Sequence, residues 1–367
     1  MNYLIAGGGT GGHIFPAIAI GEALKEKVEG ADVYFVGTRY GMETRLIAER
    51  GYPLLTLPIR GLLGKNISQK LALLWRLPAS VIMSLFLILR YKPKVVIGVG
   101  GYASAPLMLT AGFLRIPTMI QEQNAIPGIT NKVSSRTARL ACCGFAQAGK
   151  YFKCPSITTG NPVRGDLRKL EKWCSNRQTI LILGGSQGAA ALNKYLPQFL
   201  MEQMPENTPL RVVHQCGERQ TEEVKAAYEN APFKVEVTAF IDNMGQLLEH
   251  VLFAVCRAGA STIAELKMLR IPAMLVPYPR ATHDHQTHNA KSLADLGAAI
   301  LVPEDELPHS SALLGSFITD KEKLEKMADA YPKQSRDSAE LCAEIALALQ
   351  EKREVMDIVR EFETHVP

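Results

Sequence analysis

A chain of 367 residues, 47 % hydrophobic and 21 % charged, is long enough for two domains and excludes a disordered, collagen-like or coiled-coil protein. Its seven cysteines are odd in number and lack a Cys-x-x-Cys pair, which argues against a disulfide framework or a structural zinc site and for free thiols in a reducing compartment. The net charge of +5 hides an asymmetry: Arg50 to Arg164 carries fifteen basic residues and one acid, Glu122, so this stretch is +14 and the rest −9. That imbalance points to an anionic partner. Basic residues interleaved with aromatics are lacking, so nucleic acid is not expected, and an anionic membrane is the alternative.

The opening MNYLIAGGG has neither a charged leader region nor a small-residue cleavage site, so no signal peptide is expected and the cytosol is. Tyr3–Ala6 reads as a strand, Ala17–Lys27 as a helix and Ala31–Val36 as the next strand. Val95–Val99 and Thr118–Gln121 follow as strands. The text turns loop-like at Thr159-Gly160-Asn161-Pro162, and the pattern restarts with a strand at Thr179–Leu183. Further strands are expected at Leu210–Gln215, Lys234–Val237, Val251–Cys256 and Ala273–Val276. Alternation of strands and helices implies parallel sheets with right-handed crossovers. Both halves open with a strand, a glycine turn and a helix. This suggests an α/β protein of two Rossmann-like domains, residues 1–159 and 160–337, followed by a long helical stretch, 338–367, packing back on the first domain.

Leu71–Leu89 is the most apolar stretch. Its nineteen residues would rise about 28 Å as a helix, close to a bilayer core. Arg76 and Pro78 inside it oppose a transmembrane reading, and two short helices meeting at Pro78 are expected. Apolar Leu74, Trp75, Ile82, Leu85 and Phe86 with basic Lys70 and Arg90 suit a helix lying on an anionic membrane. A buried helix pair is the other reading.

Gly7, Gly9 and Gly12 fit G-x-G-x-x-G between a strand and a helix. The second strand ends without an acid for a ribose, which weakens a dinucleotide reading, although Arg39 keeps an NADP reading open. The alternative is a turn presenting backbone N–H groups to a pyrophosphate. Similar turns at 98–101 and 184–188 favour a shared crevice at strand ends. No Walker A motif is present. His13, at the start of the first helix, reads either as a core or capping histidine or as a general base kept neutral by the positive helix end.

After the strand ending at Cys256, Gly259 suits a turn and Ser261 an N-cap, with Glu265 one turn further. This is either a capping arrangement or a phosphate site with Glu265 on a ribose diol. His283, His285 and His288 suggest a metal, but no fourth ligand is evident and an amide- and hydroxyl-rich sugar contact is preferred. No Asp-x-Asp occurs. Helix dipoles and backbone N–H groups are therefore expected to neutralise a leaving diphosphate, with no divalent ion required and no tightly bound cofactor.

Gly8-Gly9-Thr10-Gly11-Gly12-His13-Ile14-Phe15-Pro16-Ala17 resembles the opening motif of the MurG family of bacterial peptidoglycan glycosyltransferases. The resemblance continues through Gly100-Gly101-Tyr102, Glu122-Gln123-Asn124, Gly160-Asn161-Pro162-Val163-Arg164, Gly184-Gly185-Ser186-Gln187-Gly188, Phe240-Ile241-Asp242, Arg257-Ala258-Gly259-Ala260-Ser261-Thr262 with Glu265, and Asp284-His285-Gln286. It implies the GT-B architecture, two Rossmann-like domains facing across a cleft. It implies inverting transfer of N-acetylglucosamine (GlcNAc) from UDP-GlcNAc to the C4 hydroxyl of muramyl-pentapeptide on undecaprenyl pyrophosphate, lipid I to lipid II. Thr10, Gly11 and Gly12 would lie by the sugar and diphosphate. Asn124 and Gln286 would hold GlcNAc hydroxyls. Arg164 and Ser186 would contact the donor, with Ser186 near phosphate, and Ile241 would recognise uracil through its backbone with Phe240 beside the ring. Ala260, Ser261, Thr262, Ile263, Ala264 and Glu265 would hold phosphates and ribose. Gly100, Gly101 and Tyr102 would face the acceptor pyrophosphate. His13 is the candidate base. The family works at the cytoplasmic face of the inner membrane, which favours the membrane reading of 66–91. A UDP-sugar 2-epimerase of the same architecture and a non-catalytic nucleotide-sugar-binding scaffold remain the alternatives.

Overall fold

The structure, a computed structural model, describes residues 1–59, 67–185, 187–205, 207–332 and 336–363, with side chains except at 67–74 and 282. Two compact units divide the chain: Met1–Gly165 with Gln334–Pro367, and Asp166–Lys333.

The first unit is built on β1 (Asn2–Gly7), β2 (Asp32–Gly37), β3 (Leu54–Thr56), β4 (Val95–Gly100), β5 (Thr118–Glu122), β6 (Leu140–Cys143) and β7 (Ser156–Thr158). They form one sheet in the order β3-β2-β1-β4-β5-β6-β7, parallel throughout. Both faces are covered, which is why these strands read as continuous apolar runs rather than alternating ones. Along β1, Tyr3 and Ile5 enter the core on one face, and Leu4 and Ala6 the core on the other.

The Tyr3 face is covered by the helix Gly11–Lys27 and by two C-terminal helices, Ser338–Gln350 and Val355–Glu363. Leu341, Ile345, Leu349, Ile358 and Phe362 are buried there, each stabilising by about 1.5–3 kcal/mol. The Tyr3 hydroxyl donates to Gln350 Oε1 at 2.6 Å, and Lys27 pairs with Glu344 at 2.8 Å. The long helical stretch expected over 338–367 is interrupted at Lys352, whose φ of 58° is left-handed.

On the Leu4 face, the helix Ser104–Phe113 packs beside a helix running from Ile67 to Tyr91. The expected pair of short helices is thus a single helix through Pro78. A proline inside a helix removes one N–H bond and need not end it. Ser80, Ser84, Leu87 and Ile88 form the buried stripe. Among the described residues, no helix is long and apolar enough to cross a membrane.

The second unit contains β8 (Thr179–Leu183), β9 (Arg211–Gln215), β10 (Lys234–Thr238), β11 (Val251–Cys256), β12 (Ala273–Leu275) and β13 (Ala299–Leu301). Its order is β10-β9-β8-β11-β12-β13, again all parallel. In each sheet the chain first builds outward on one side of the opening strand and then crosses to its other side. The switch points fall between β1 and β4 and between β8 and β11. Open α/β sheets bind ligands at the carboxyl ends of strands there.

Candidate active site

In the first unit the switch point is made of backbone. Gly7 pairs with Gly100, and a Cβ on Gly101 would come within 2.5 Å of the Gly8 carbonyl oxygen. Gly100 and Gly101 have φ of 97° and 83°, a region in which only glycine is relaxed. Thr10 is the N-cap of the helix Gly11–Lys27, with extended dihedrals and no side-chain cap hydrogen bond. The first N–H groups of this helix, from Gly11 and Gly12, therefore lack a capping side chain, and the positive helix end faces the switch point.

His13 sits in that first turn. Its Nδ1 lies 2.7 Å from Gln123 Oε1, while Gly100 leaves room beside the ring. Behind Gln123 is a buried amide chain. Gln123 Nε2 donates to Val99 O at 2.9 Å, to Gln121 O at 3.2 Å and to Gln121 Oε1. Gln121 Nε2 donates to Asn161 Oδ1 at 3.1 Å, and Asn161 Nδ2 returns to Gln123 O at 2.8 Å. Of the two readings of His13, a capping role finds no support in its side-chain contact, which is to Gln123.

Two buried carboxylates, neither given a role by sequence reasoning, brace the loops. Glu43 accepts from Gly9 N at 2.8 Å, Thr38 N at 2.9 Å and Thr38 Oγ1 at 2.7 Å. Glu122 accepts from Asn124 N at 2.9 Å, Gly128 N at 3.2 Å and Asn131 Nδ2 at 2.9 Å. Their signal in sequence is an acid beside glycines (Gly41-Met42-Glu43) and a polar run at the end of an apolar strand (Gln121 to Asn124). Asn124 itself turns its amide toward Glu122 at 3.3 Å. Arg164 lies over the Phe15 ring at 5.1 Å, which joins it to the same helix start. Thr10 to His13, Gly100 to Tyr102, Asn124 and Arg164 thus gather at the carboxyl-terminal end of this sheet.

In the second unit the loop after β8 carries Gly185 and Gly188 at positive φ. A Cβ on Gly188 would meet Cys216 O at 2.0 Å. Ser186 lies outside the described residues. Gln215 Nε2 donates to Gly185 O at 2.9 Å and to Ala239 O at 2.8 Å, tying this loop to the one after β10. Phe240 and Ile241 stand in that second loop, beside a groove of about 680 Å³ that also takes in Arg211, Glu236 and Asp242.

After β11 the helix Ala260–Leu269 starts two residues earlier than a Ser261 cap would allow. Gly259 holds the cap position without any side-chain bond, and Ile263 N makes the first backbone bond to Gly259 O at 2.9 Å. Ala260, Ser261 and Thr262 are therefore left with N–H groups that have no intrahelical acceptor. Arg257 anchors this start, donating to Val276 O and Pro277 O at 3.1 Å each and pairing with Glu304. Glu265 lies close enough to the strand end to add to the effect of burial on Cys256, whose thiol is pushed up to about 12.

Gln286 is in the helix His285–Ala294, and its Oε1 accepts from Tyr278 N at 2.9 Å. The loop before it holds two successive left-handed residues, His283 and Asp284, at φ of 55° and 53°. Among the described residues, no group of three or more His, Cys, Asp or Glu side chains is placed to hold a metal ion.

On the helix Ile67–Tyr91, Trp75 (83 % exposed), Ile82 (69 %), Phe86 (58 %) and Leu89 recur at helical spacing and form an outward apolar stripe, with Leu85 and exposed Arg90 beside it. The side chains of Lys70 and Leu74 lie outside the described residues. The reading of this segment as a wholly buried helix pair is therefore not met by the exposed stripe.

Residues 3–142 match the glycosyltransferase family 28 N-terminal domain, and residues 179–342 the family's C-terminal domain. A UDP-N-acetylglucosamine–N-acetylmuramyl-(pentapeptide) pyrophosphoryl-undecaprenol N-acetylglucosamine transferase of Anaeromyxobacter sp. (strain Fw109-5) is 39 % identical over 358 residues, 94 % of this chain and 93 % of that protein. The crystal structure of Acinetobacter baumannii MurG superposes with a TM-score of 0.74 at 33 % identity, covering 96 % of this chain and 99 % of that one. A Neisseria meningitidis UDP-GlcNAc 2-epimerase bound to UDP-GlcNAc reaches a TM-score of 0.63 at 15 % identity over 96 % of this chain and all of that one, which shows a common fold.

Proposed function

The chain belongs to glycosyltransferase family 28, within its MurG branch, and from that premise we propose how its residues carry the reaction. The protein transfers GlcNAc from UDP-GlcNAc to lipid I and forms lipid II in peptidoglycan synthesis. The observation that carries the assignment of roles is that the glycine turns of each sheet lie at its switch point, beside a helix start without a side-chain cap.

The acceptor's C4 hydroxyl attacks C1 of the α-linked GlcNAc, UDP departs from the opposite face, and a β-1,4 bond forms. His13 takes the hydroxyl proton. The loops at Thr10–Gly12 and Gly100–Tyr102 receive the sugar and the acceptor pyrophosphate. The first N–H groups of the helix Ala260–Leu269 meet the donor phosphates, and Glu265 takes the ribose diol, whose two hydroxyls suit a carboxylate's two oxygens. The Ile241 backbone recognises uracil, with Phe240 beside the ring. Arg164 and Ser186 contact the donor, and Asn124 and Gln286 hold GlcNAc hydroxyls. Charge developing on the diphosphate is stabilised by these fixed dipoles, so no divalent ion enters the scheme.

The outward stripe Trp75–Ile82–Phe86 with Leu85 and Arg90 lies on the anionic cytoplasmic face of the inner membrane, where lipid I is anchored. Its position within the +14 stretch supports this reading.

Product analysis tests the chemistry. Incubation with UDP-GlcNAc and a lipid I analogue is expected to give a β-1,4-linked disaccharide on the lipid. A free 2-epimer of the sugar with no disaccharide would instead establish the epimerase.

A further inference from the structure

The amide chain behind His13 has a direction. Gln123 is 1 % exposed, and its side-chain nitrogen faces three oxygens: Val99 O, Gln121 O and Gln121 Oε1. Reversing the amide would set its oxygen against all three. Gln121 is held in turn because its own nitrogen donates to Asn161 Oδ1, and Asn161 is held because its nitrogen donates to Gln123 O. The ring closes on itself, so each amide fixes the next. Gln123 therefore presents oxygen, and only oxygen, to His13 Nδ1. A neutral imidazole has one N–H and one lone pair. With Nδ1 facing an acceptor at 2.7 Å, the proton resides on Nδ1 and the lone pair on Nε2.

We propose that Gln123 is a positioning residue that holds His13 in the Nδ1-protonated tautomer, with Gln121 and Asn161 fixing the orientation of Gln123. The inference rests on the reading of His13 as the base and adds to it which nitrogen accepts the proton. As the acceptor oxygen bonds to C1 and the C1–O bond pair leaves with UDP, the hydroxyl proton passes to Nε2. The Nδ1–H bond to Gln123 is retained in the imidazolium and steadies the ring through the transfer. Gln123 is neutral, so it selects the tautomer through hydrogen-bond direction alone and sets no charge beside the ring.

Nitrogen NMR of the ¹⁵N-histidine-labelled full chain at a pH where His13 is neutral reads the tautomer directly, with His13→Gln used to assign the signals. The expected result is a protonated Nδ1 and an unprotonated Nε2 in the native protein. In Gln123→Met, which keeps volume but offers no oxygen, the signals should move toward the Nε2-protonated form. Turnover of that variant should fall at least about tenfold, with the KM for UDP-GlcNAc within about twofold. A native His13 protonated on Nε2, or a Gln123→Met spectrum identical to the native one, overturns the proposal. The base reading fails separately: full turnover in His13→Ala removes His13 as base while leaving the tautomer measurement to stand.

Discussion

The buried carboxylate of Glu43 accepts the Gly9 backbone N–H at 2.8 Å, so a side chain from beyond the second strand fixes the loop that leads to His13. Gly8 and Gly41 close around it, since a Cβ on either would lie within 2.6 Å of a carboxylate atom. Glu43→Ala removes the one carboxylate that accepts from the Gly9 N–H, the Thr38 N–H and the Thr38 hydroxyl, and empties the buried site it fills. It is expected to destabilise the fold by about 3 kcal/mol, read from urea unfolding. A change under about 0.5 kcal/mol would show that water replaces the carboxylate.

The base and the ribose ligand should separate kinetically. His13→Ala is expected to lower kcat by about 100-fold or more and to leave the KM for UDP-GlcNAc near its original value.

Glu265→Ala should act on binding. Losing a charge-assisted pair of hydrogen bonds costs about 1.5–3 kcal/mol, a rise of roughly 10- to 150-fold in the Kd for UDP, measured by calorimetry. An unchanged Kd would place the ribose elsewhere.

The outward stripe predicts lipid binding. Leu85→Glu with Phe86→Glu adds two charges to an exposed apolar face and touches no residue of the buried stripe. Sedimentation with anionic vesicles should fall at least about tenfold, while turnover on a water-soluble acceptor persists. Undiminished sedimentation would detach this helix from the membrane.

His214 makes stability pH-dependent. It is fully buried, its Nδ1 3.1 Å from the Tyr228 hydroxyl and its Nε2 3.1 Å from Asn193 Oδ1, and burial pulls its pKa from 6.5 down to about 3. The folded state thus stays neutral while the unfolded chain takes up a proton below pH 6.5, so stability falls as pH drops from there toward 3. At pH 5 the loss from this group is about 2 kcal/mol. In His214→Gln the decline in unfolding free energy between pH 7 and pH 5 should be smaller by about that amount.

The parts of this fold carried by local pattern were readable. Val95–Gly100 and Val251–Cys256 are buried on both faces, so their sequences are apolar throughout and stand out. Leu54–Thr56 and Ala299–Leu301 are three-residue edge strands, too short to carry a period. Pro78 signalled a break that the helix absorbs, and Ser261 signalled a cap that Gly259 holds instead. At the site, the glycine loops were legible because positive φ and close backbone approach demand glycine. The braces were not, because Glu43 is 34 residues from Gly9, Gln123 is 110 from His13, and Asn161 is 40 from Gln121. Such pairings exist only once the sheet order is set.

Release of UDP from UDP-GlcNAc, followed with and without a lipid I analogue, tests the central claim most directly. Slow release with donor alone and a rise of at least about 100-fold on adding the analogue is the expected result, since attack by a positioned hydroxyl replaces attack by water. Donor binding with no acceptor-dependent release would contradict the account and leave a protein that holds the nucleotide sugar without transferring it.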